Sequence, residues 1–213
     1  MTFDSVYEMT TPITEVRKQR FWDDFSGNDL NSRWKISYSA GNVTNSPHTM
    51  SSEIDGGMVW HTNNTNATAY NIMDTNSKYT FDAESCGFIT SIKMNYDSMG
   101  SENYSSSIGL HEDSYIIINT STAGTYFQLQ CRNNLVGTST ADTTVKIDTD
   151  WHTFKATTNG TRAVAYVDGV LDATLTSTLP SHEAGNLEPF WQLTNNTATD
   201  WTASIKYFEA WNI

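Results

Sequence analysis

The chain has 213 residues, 38% of them hydrophobic and 17% charged, with a formal net charge of −12. Its 12 lysines and arginines are scattered, so the sequence offers no basic face to release counterions from a nucleic acid. The acidity argues equally against an anionic membrane, no apolar run is long enough to span a bilayer, and a strongly acidic polysaccharide is disfavoured unless a local basic pocket overrides the mean charge.

Residues 1–20, MTFDSVYEMTTPITEVRKQR, carry little periodicity and no apolar core of a secretory leader. They read as an N-terminal arm, either a docking segment or a disordered terminus. Synthesis in a host cytoplasm is expected, with secretion as the alternative if a leader has been removed. The domain is expected to begin at Phe21 and to run through residue 213. Phe21, Trp22, Phe25 and Trp34 cluster around a Ser-Gly-Asn-Asp turn; Trp22 and Trp34, like Phe154 and Trp211 further on, are read as core aromatics. A loop is expected over 39–52, then a strand with Met58 and Trp60 on one face after the Gly56-Gly57 turn. Short strands follow at 69–73, 79–82 and 87–96, where Phe88, Ile92 and Met94 share a face. Further strands are expected at 106–111, 115–119, 125–132 and 145–147.

The stretch Trp151–Leu175 reads as three strands joined at Asn159-Gly160 and Asp168-Gly169. Both dipeptides suit two-residue type I′ turns, which need positive φ at both central positions. Alternation of apolar and polar residues makes this an antiparallel meander that must bury one face against a second layer. Strands at 187–194 and 202–211 close the chain. Many short strands spaced by turn signals predict an all-β fold, a two-sheet antiparallel sandwich, and the length suits one domain. Cys86 and Cys131, the only cysteines, sit in separate predicted strands, so buried thiols are preferred over a bridge.

Five motifs recur in this order in one superfamily: D-D-F-S-G-x-x-L-x-x-x-W (Asp23 to Trp34), I-D-G-G-x-V (Ile54 to Val59), W-H-T-F-K, Y-V-D-G-V and a final I-K-Y-F-E-A-W. Over residues 21–213 the chain resembles the concanavalin A-like lectin/glucanase jelly rolls, in particular the laminin-G-like domains of phage and bacterial proteins. The resemblance implies two antiparallel sheets of about six or seven strands each, one of them concave. In relatives that bind sugar, that sheet usually holds the ligand. It does not fix function, because the superfamily includes lectins, glucanases, lyases and modules that only join proteins.

A glucanase of this superfamily carries E-x-D-x-x-E or E-x-D-x-E on one strand, where alternation gathers the carboxyls on one face. The only E-x-D here is Glu53-Ile54-Asp55, in the Gly-Gly turn segment and without a third carboxylate at the needed offset. His111, Glu112 and Asp113 are adjacent in sequence at a strand end, so they point to alternate faces and do not converge. A lyase needs a tyrosine or histidine base beside a cationic neutraliser; Tyr126, Gln128, Gln130 and Arg132 share one strand face, but the surrounding lyase signatures are missing. The resemblance also implies a calcium ligand in the last strand, where Lys206 stands here. That leaves Asp23 and Asp24 as the remaining candidates for calcium, and otherwise no cofactor or metal is expected.

Sugars are held by aromatic faces and by amide, carboxylate or guanidinium hydrogen bonds. Trp60, Tyr115 and Trp201 qualify by type, and the residues singled out as glycan-binding candidates are Tyr126, Gln128, Arg132, Trp191 and Gln192; no catalytic residue is assigned. The expected function is a non-catalytic virion structural module, a phage capsid decoration or fibre-type protein on the virion surface. It would dock on other virion proteins through residues 1–20 and bind glycan on its exposed side, with homo-oligomerisation left open. A polysaccharide-degrading enzyme or a soluble lectin is the alternative.

Overall fold

The computed structural model describes residues 19–26, 29–38, 48–50, 57–61, 69–94, 104–120, 125–195 and 202–213. Fifteen strands follow one another: β1 (Arg20–Asp23), β2 (Lys35–Tyr38), β3 (His48–Met50), β4 (Met58–His61), β5 (Ala69–Asp74), β6 (Cys86–Met94), β7 (Tyr104–His111), β8 (Tyr115–Thr120), β9 (Tyr126–Asn133), β10 (Gly137–Lys146), β11 (Trp151–Thr158), β12 (Ala163–Val167), β13 (Val170–Leu175), β14 (Glu188–Asn195) and β15 (Thr202–Asn212). The described residues contain no α-helix, only a 3-10 turn at His182–Ala184. The strands form two antiparallel sheets. One runs β13-β12-β11-β6-β15-β4-β3, with β1 also paired to β15; the other runs β10-β9-β8-β7-β14-β5-β2. The fold is the two-sheet sandwich of a concanavalin A-like jelly roll.

Alternation decides which side chains meet between the sheets. In β9 the buried residues are Phe127, Leu129 and Cys131, and in β11 they are Phe154, Ala156 and Thr158. Phe127 and Phe154 meet across the sandwich at 4.7 Å. At the opening of the domain, Phe21 and Trp34 pack edge to face at 4.9 Å. Cys86 and Cys131 are free and buried; burial raises both thiols, Cys131 to about 12, so both stay protonated and pack as small apolar groups. Gly109 is required where β7 passes β8: its φ is 153°, and a Cβ there would lie 2.4 Å from the Ile116 carbonyl oxygen.

Several sequence expectations need correction. The strand expected at 145–147 is the end of a ten-residue strand, β10, whose Gly137-to-Lys146 run is too polar to display a period. The strand expected at 79–82 is reduced to a single bridge between Phe81 and Leu187. The 39–52 loop contains β3. Asp168-Gly169 has the two positive φ values of a type I′ turn, 51° and 83°. The Asn159-Gly160 site does not: its connection is four residues long, because Asn159 Oδ1 accepts from the Thr161 and Arg162 amides at 3.2 and 3.1 Å and builds an Asx turn. Trp22 is 42% exposed and Trp211 only half-buried; both lie on the outward face of the eight-stranded sheet, because Phe21 and Ala210 take the inward parity. Residues 1–18 of the expected arm lie outside the described residues, and β1 starts at Arg20.

His152 staples two connections together. Its imidazolium donates from Nδ1 to Asp168 Oδ2 at 2.7 Å and from Nε2 to Asp148 Oδ1 at 3.1 Å. Burial pulls the pKa of His152 down, but these hydrogen bonds outweigh burial and raise it above the ordinary 6.5. The resulting stabilisation is fully present below the unfolded value and fades as pH rises through the folded one. The melting-temperature advantage of the wild type over His152→Gln should therefore be greatest at mildly acidic pH and shrink as pH rises above the ordinary imidazole value, as measured by thermal melts of both proteins across that rise.

Candidate functional site

The outward face of the seven-stranded sheet is built from three cross-strand rows. In the first, Glu188 of β14 stands opposite His111 of β7, which stands opposite Tyr115 of β8, and that opposite Arg132 of β9. The second runs Phe190, Gly109, Ile117, Gln130, and the third Gln192, Ser107, Asn119, Gln128. Gly109 contributes no side chain to the middle row. A cavity of about 160 Å³ opens on this face, lined by Ser107, His111, Tyr115, Ile117, Gln130, Phe190 and Gln192.

Three rings form one wall. His111 stacks on Phe190 at 4.3 Å and on Tyr115 at 5.3 Å, with interplanar angles of 18° and 12°. Burial, aided by the nearby Arg132 charge and opposed by Asp113, lowers the His111 pKa to about 4, so its ring is neutral at neutral pH. The polar groups are held in a chain: Tyr115 Oη donates to Gln130 Oε1 at 3.0 Å, and Gln130 Nε2 donates to Thr140 Oγ1 at 3.2 Å. Gln128 Nε2 donates to Asp142 Oδ1 at 2.6 Å, and Gln192 Nε2 to Thr194 Oγ1 at 2.9 Å. The face combines ring surfaces with pre-oriented amides, the chemistry that grips sugar C–H faces and hydroxyls.

Of the residues singled out from sequence, Tyr126, Gln128 and Arg132 share this face along β9, and Gln192 lines the cavity from β14. Three strand spacings, about 14 Å, separate β9 from β14, so these residues line a band and do not converge on a point. Trp191 is a correction. It is 1% exposed and points between the sheets, where it packs edge-on to Trp60 at 5.0 Å and donates from Nε1 to Ser106 Oγ at 3.0 Å. Its polar neighbour Gln192 belongs to the opposite parity. Trp60 is interior for the same reason, while Trp201 and Glu53-Ile54-Asp55 lie outside the described residues. His111 and Phe190 were missed. The signal for His111 was its even spacing from Ser107 and Gly109, which places it on their face.

The carboxylates are poorly placed for glycoside hydrolysis. The outward positions of β8 are Tyr115, Ile117 and Asn119, with no carboxylate among them. Burial, followed by the Glu188 charge, raises the pKa of Glu112. Hydrolysis needs two carboxyls about 5–5.5 Å apart for retention, or 6.5–9.5 Å for inversion, and the outward face of β8 supplies neither. Glu188 Oε2 is held by the Thr75 hydroxyl at 3.0 Å and the Ser77 amide at 2.7 Å. The aspartates considered for calcium serve the local fold: Asp23 accepts from Trp34 Nε1 at 3.0 Å and the Phe25 amide at 2.8 Å, and Asp24 from the Ser26 amide at 3.0 Å.

No family model and no curated sequence matches the chain. Solved structures do. A Bacillus licheniformis β-glucanase superposes with a TM-score of 0.61 at 15% identity, covering 92% of this chain and 98% of that one. A GlcNAcα1-4Gal-releasing endo-β-galactosidase from Clostridium perfringens gives 0.66 at 11% identity, over 94% of this chain and 63% of that one. A botulinum neurotoxin type C chain, described as entering cells through interaction with two ganglioside molecules, gives 0.56 at 12% identity, over 84% and 43%. At these identities the likeness establishes the fold.

The parity of Trp191 has a measurable consequence. Trp191→Ala should cost about 3–5 kcal/mol of unfolding free energy, the usual loss for a buried aromatic, read from denaturant titrations. A cost near zero would mean that the indole faces solvent.

Proposed function

We propose that the chain is a glycan-binding jelly-roll module whose binding face is the outward surface of the seven-stranded sheet, and that it does not cleave what it binds. The observation that carries this is the ring-and-amide cavity of His111, Tyr115, Phe190, Gln130 and Gln192. The β-glucanase, the galactosidase and the ganglioside-dependent toxin with the same fold support a sugar ligand by analogy. Within this reading the module is a virion structural protein, a capsid decoration or fibre component exposed on the particle and docked on other virion proteins through residues 1–20. The support for that finer statement is the resemblance of the sequence to phage laminin-G-like domains. A purified particle preparation imaged by electron microscopy, with the protein labelled, tests it; protein recovered free of any particle overturns it.

One row favours a second reading. His111, neutral because of its burial, stands beside the Tyr115 hydroxyl, with Arg132 next along the row. A β-elimination on a uronic acid chain needs these three roles: a cation to neutralise the carboxylate, a base for the C5 proton and an acid for the leaving oxygen.

Calorimetric titration against a panel of neutral and uronic acid oligosaccharides, with a parallel absorbance assay for unsaturated products, separates the readings. Binding of a neutral oligosaccharide without turnover is expected, and Gln192→Ala should weaken that binding about tenfold, the loss of about 1.4 kcal/mol typical of one polar contact. Accumulation of unsaturated product that disappears in His111→Ala would establish the lyase instead.

A further inference from the structure

The opposite side of the molecule is organised in a way the sequence did not suggest. Three hollows run consecutively across the outward face of the eight-stranded sheet. The first lies between Trp22, Arg33, Arg20 and Glu209. The second shares Arg20 and Glu209 with it and extends to Trp211, Lys155 and Ile89. The third shares Lys155 and Ile89 and ends at Tyr166 and Thr153. Their volumes are about 540, 560 and 320 Å³. The track follows one cross-strand row, Trp22–Glu209–Ile89–Lys155–Tyr166. Five strands at about 4.8 Å spacing make it about 19 Å long.

Aromatic surface lines it. Trp22 is 42% exposed and stacks on Tyr207 at 5.6 Å. The Trp211 indole lies over Gly87, where a Cβ would come within 3.1 Å of the ring. Midway along, the Lys155 ammonium sits 5.6 Å from the Tyr166 ring and 6.0 Å from the Trp211 ring, held by cation–π attraction with its charge facing solvent.

The outward cross-strand positions of this face carry more cations than carboxylates, in a protein of net charge −12. Arg20, Lys93, Lys155 and Lys206 stand on this face, four of the chain's 12 cations. Glu209, the carboxylate in the row, is paired with Arg20 at 2.7 Å. This is the local basic patch that can override an acidic mean.

We infer that this face is a second ligand surface, distinct from the cavity on the seven-stranded sheet, and that it takes an extended acidic polysaccharide of the uronic acid type. The rings of Trp22, Trp211 and Tyr166 lie against sugar faces, and Lys155 receives a carboxylate between two of them. The Asn212 and Gln19 amides beside Trp211 bond hydroxyls. Nucleic acid fits less well, because a charge every ~3.4 Å along a strand would pass directly over Glu209 inside a strongly acidic protein.

The test is binding of the whole chain, by affinity electrophoresis and calorimetry at low and physiological salt, to oligogalacturonate, a neutral β-glucan oligosaccharide and oligo-dT. Oligogalacturonate should bind best, and less tightly at higher salt. Lys155→Ala and Trp22→Ala should each weaken it about tenfold, while Gln192→Ala on the opposite face leaves it unchanged. Both substituted side chains are exposed, so thermal melts should stay near wild type; if Trp22→Ala melts early, Lys155→Ala alone decides. Equal binding of the neutral oligosaccharide, stronger binding of oligo-dT, or uronate binding that Gln192→Ala reduces and Lys155→Ala does not would each overturn the assignment. A failure here leaves the cavity reading standing, since that depends on Gln192.

Discussion

The edge-on contact between Trp60 and Trp191 sets the parity of the central strands. Trp191 must lie between the sheets to reach Trp60 at 5.0 Å and to satisfy its indole N–H on Ser106. Side chains alternate strictly along a strand, so Gln192 and Phe190 then have to face outward, and the ladder transmits this choice to Ser107 and His111 of β7 and on to Tyr115 and Gln130. A slip of one residue in β14 would bury Glu188, Gln192 and Thr194 and expose an indole. The outward face of this sheet thus depends on an apolar contact made on its other side.

The same parity rule gives the sandwich two unlike exteriors. One is polar and nearly neutral: glutamines tied to threonine and aspartate, a histidine kept uncharged by burial, and a phenylalanine against its ring. The other is aromatic and basic, with ammonium groups resting on rings. A sheet edge would normally separate such chemistries, but here only the thickness of the core does, about 10 Å. Glu188, at the margin of the first face, is bound to the Thr75 hydroxyl and the Ser77 amide.

The architecture was readable because β9 and the middle of β11 alternate apolar and polar residues, and because Asp168-Gly169 dictates a tight turn. β10 was not readable: its ten residues hold two apolar side chains, and only pairing with β9 makes it a strand. The face of β9 that carries Tyr126, Gln128 and Arg132 followed from period two alone. Trp191 misled because polar Gln192 follows it in sequence, whereas in space its ring packs on Trp60 between the sheets. Trp22 and Trp211 misled in the other direction, since aromatics were assumed to be interior; Phe21 and Ala210 already filled the inward positions. The cavity itself is lined from β7, β8, β9 and β14 together, a relation among four strands that no linear reading contains.

β15 pairs with β6 along one side and with both β1 and β4 along the other. The last of the fifteen strands is therefore an interior one. While the chain emerges from a ribosome, β6 and β4 present unsatisfied amide edges until Thr202–Asn212 arrives to fill the gap. Closure of this sheet has to wait for the end of the stretch, leaving a nascent intermediate that invites pairing with neighbouring chains and that a chaperone would have reason to shield.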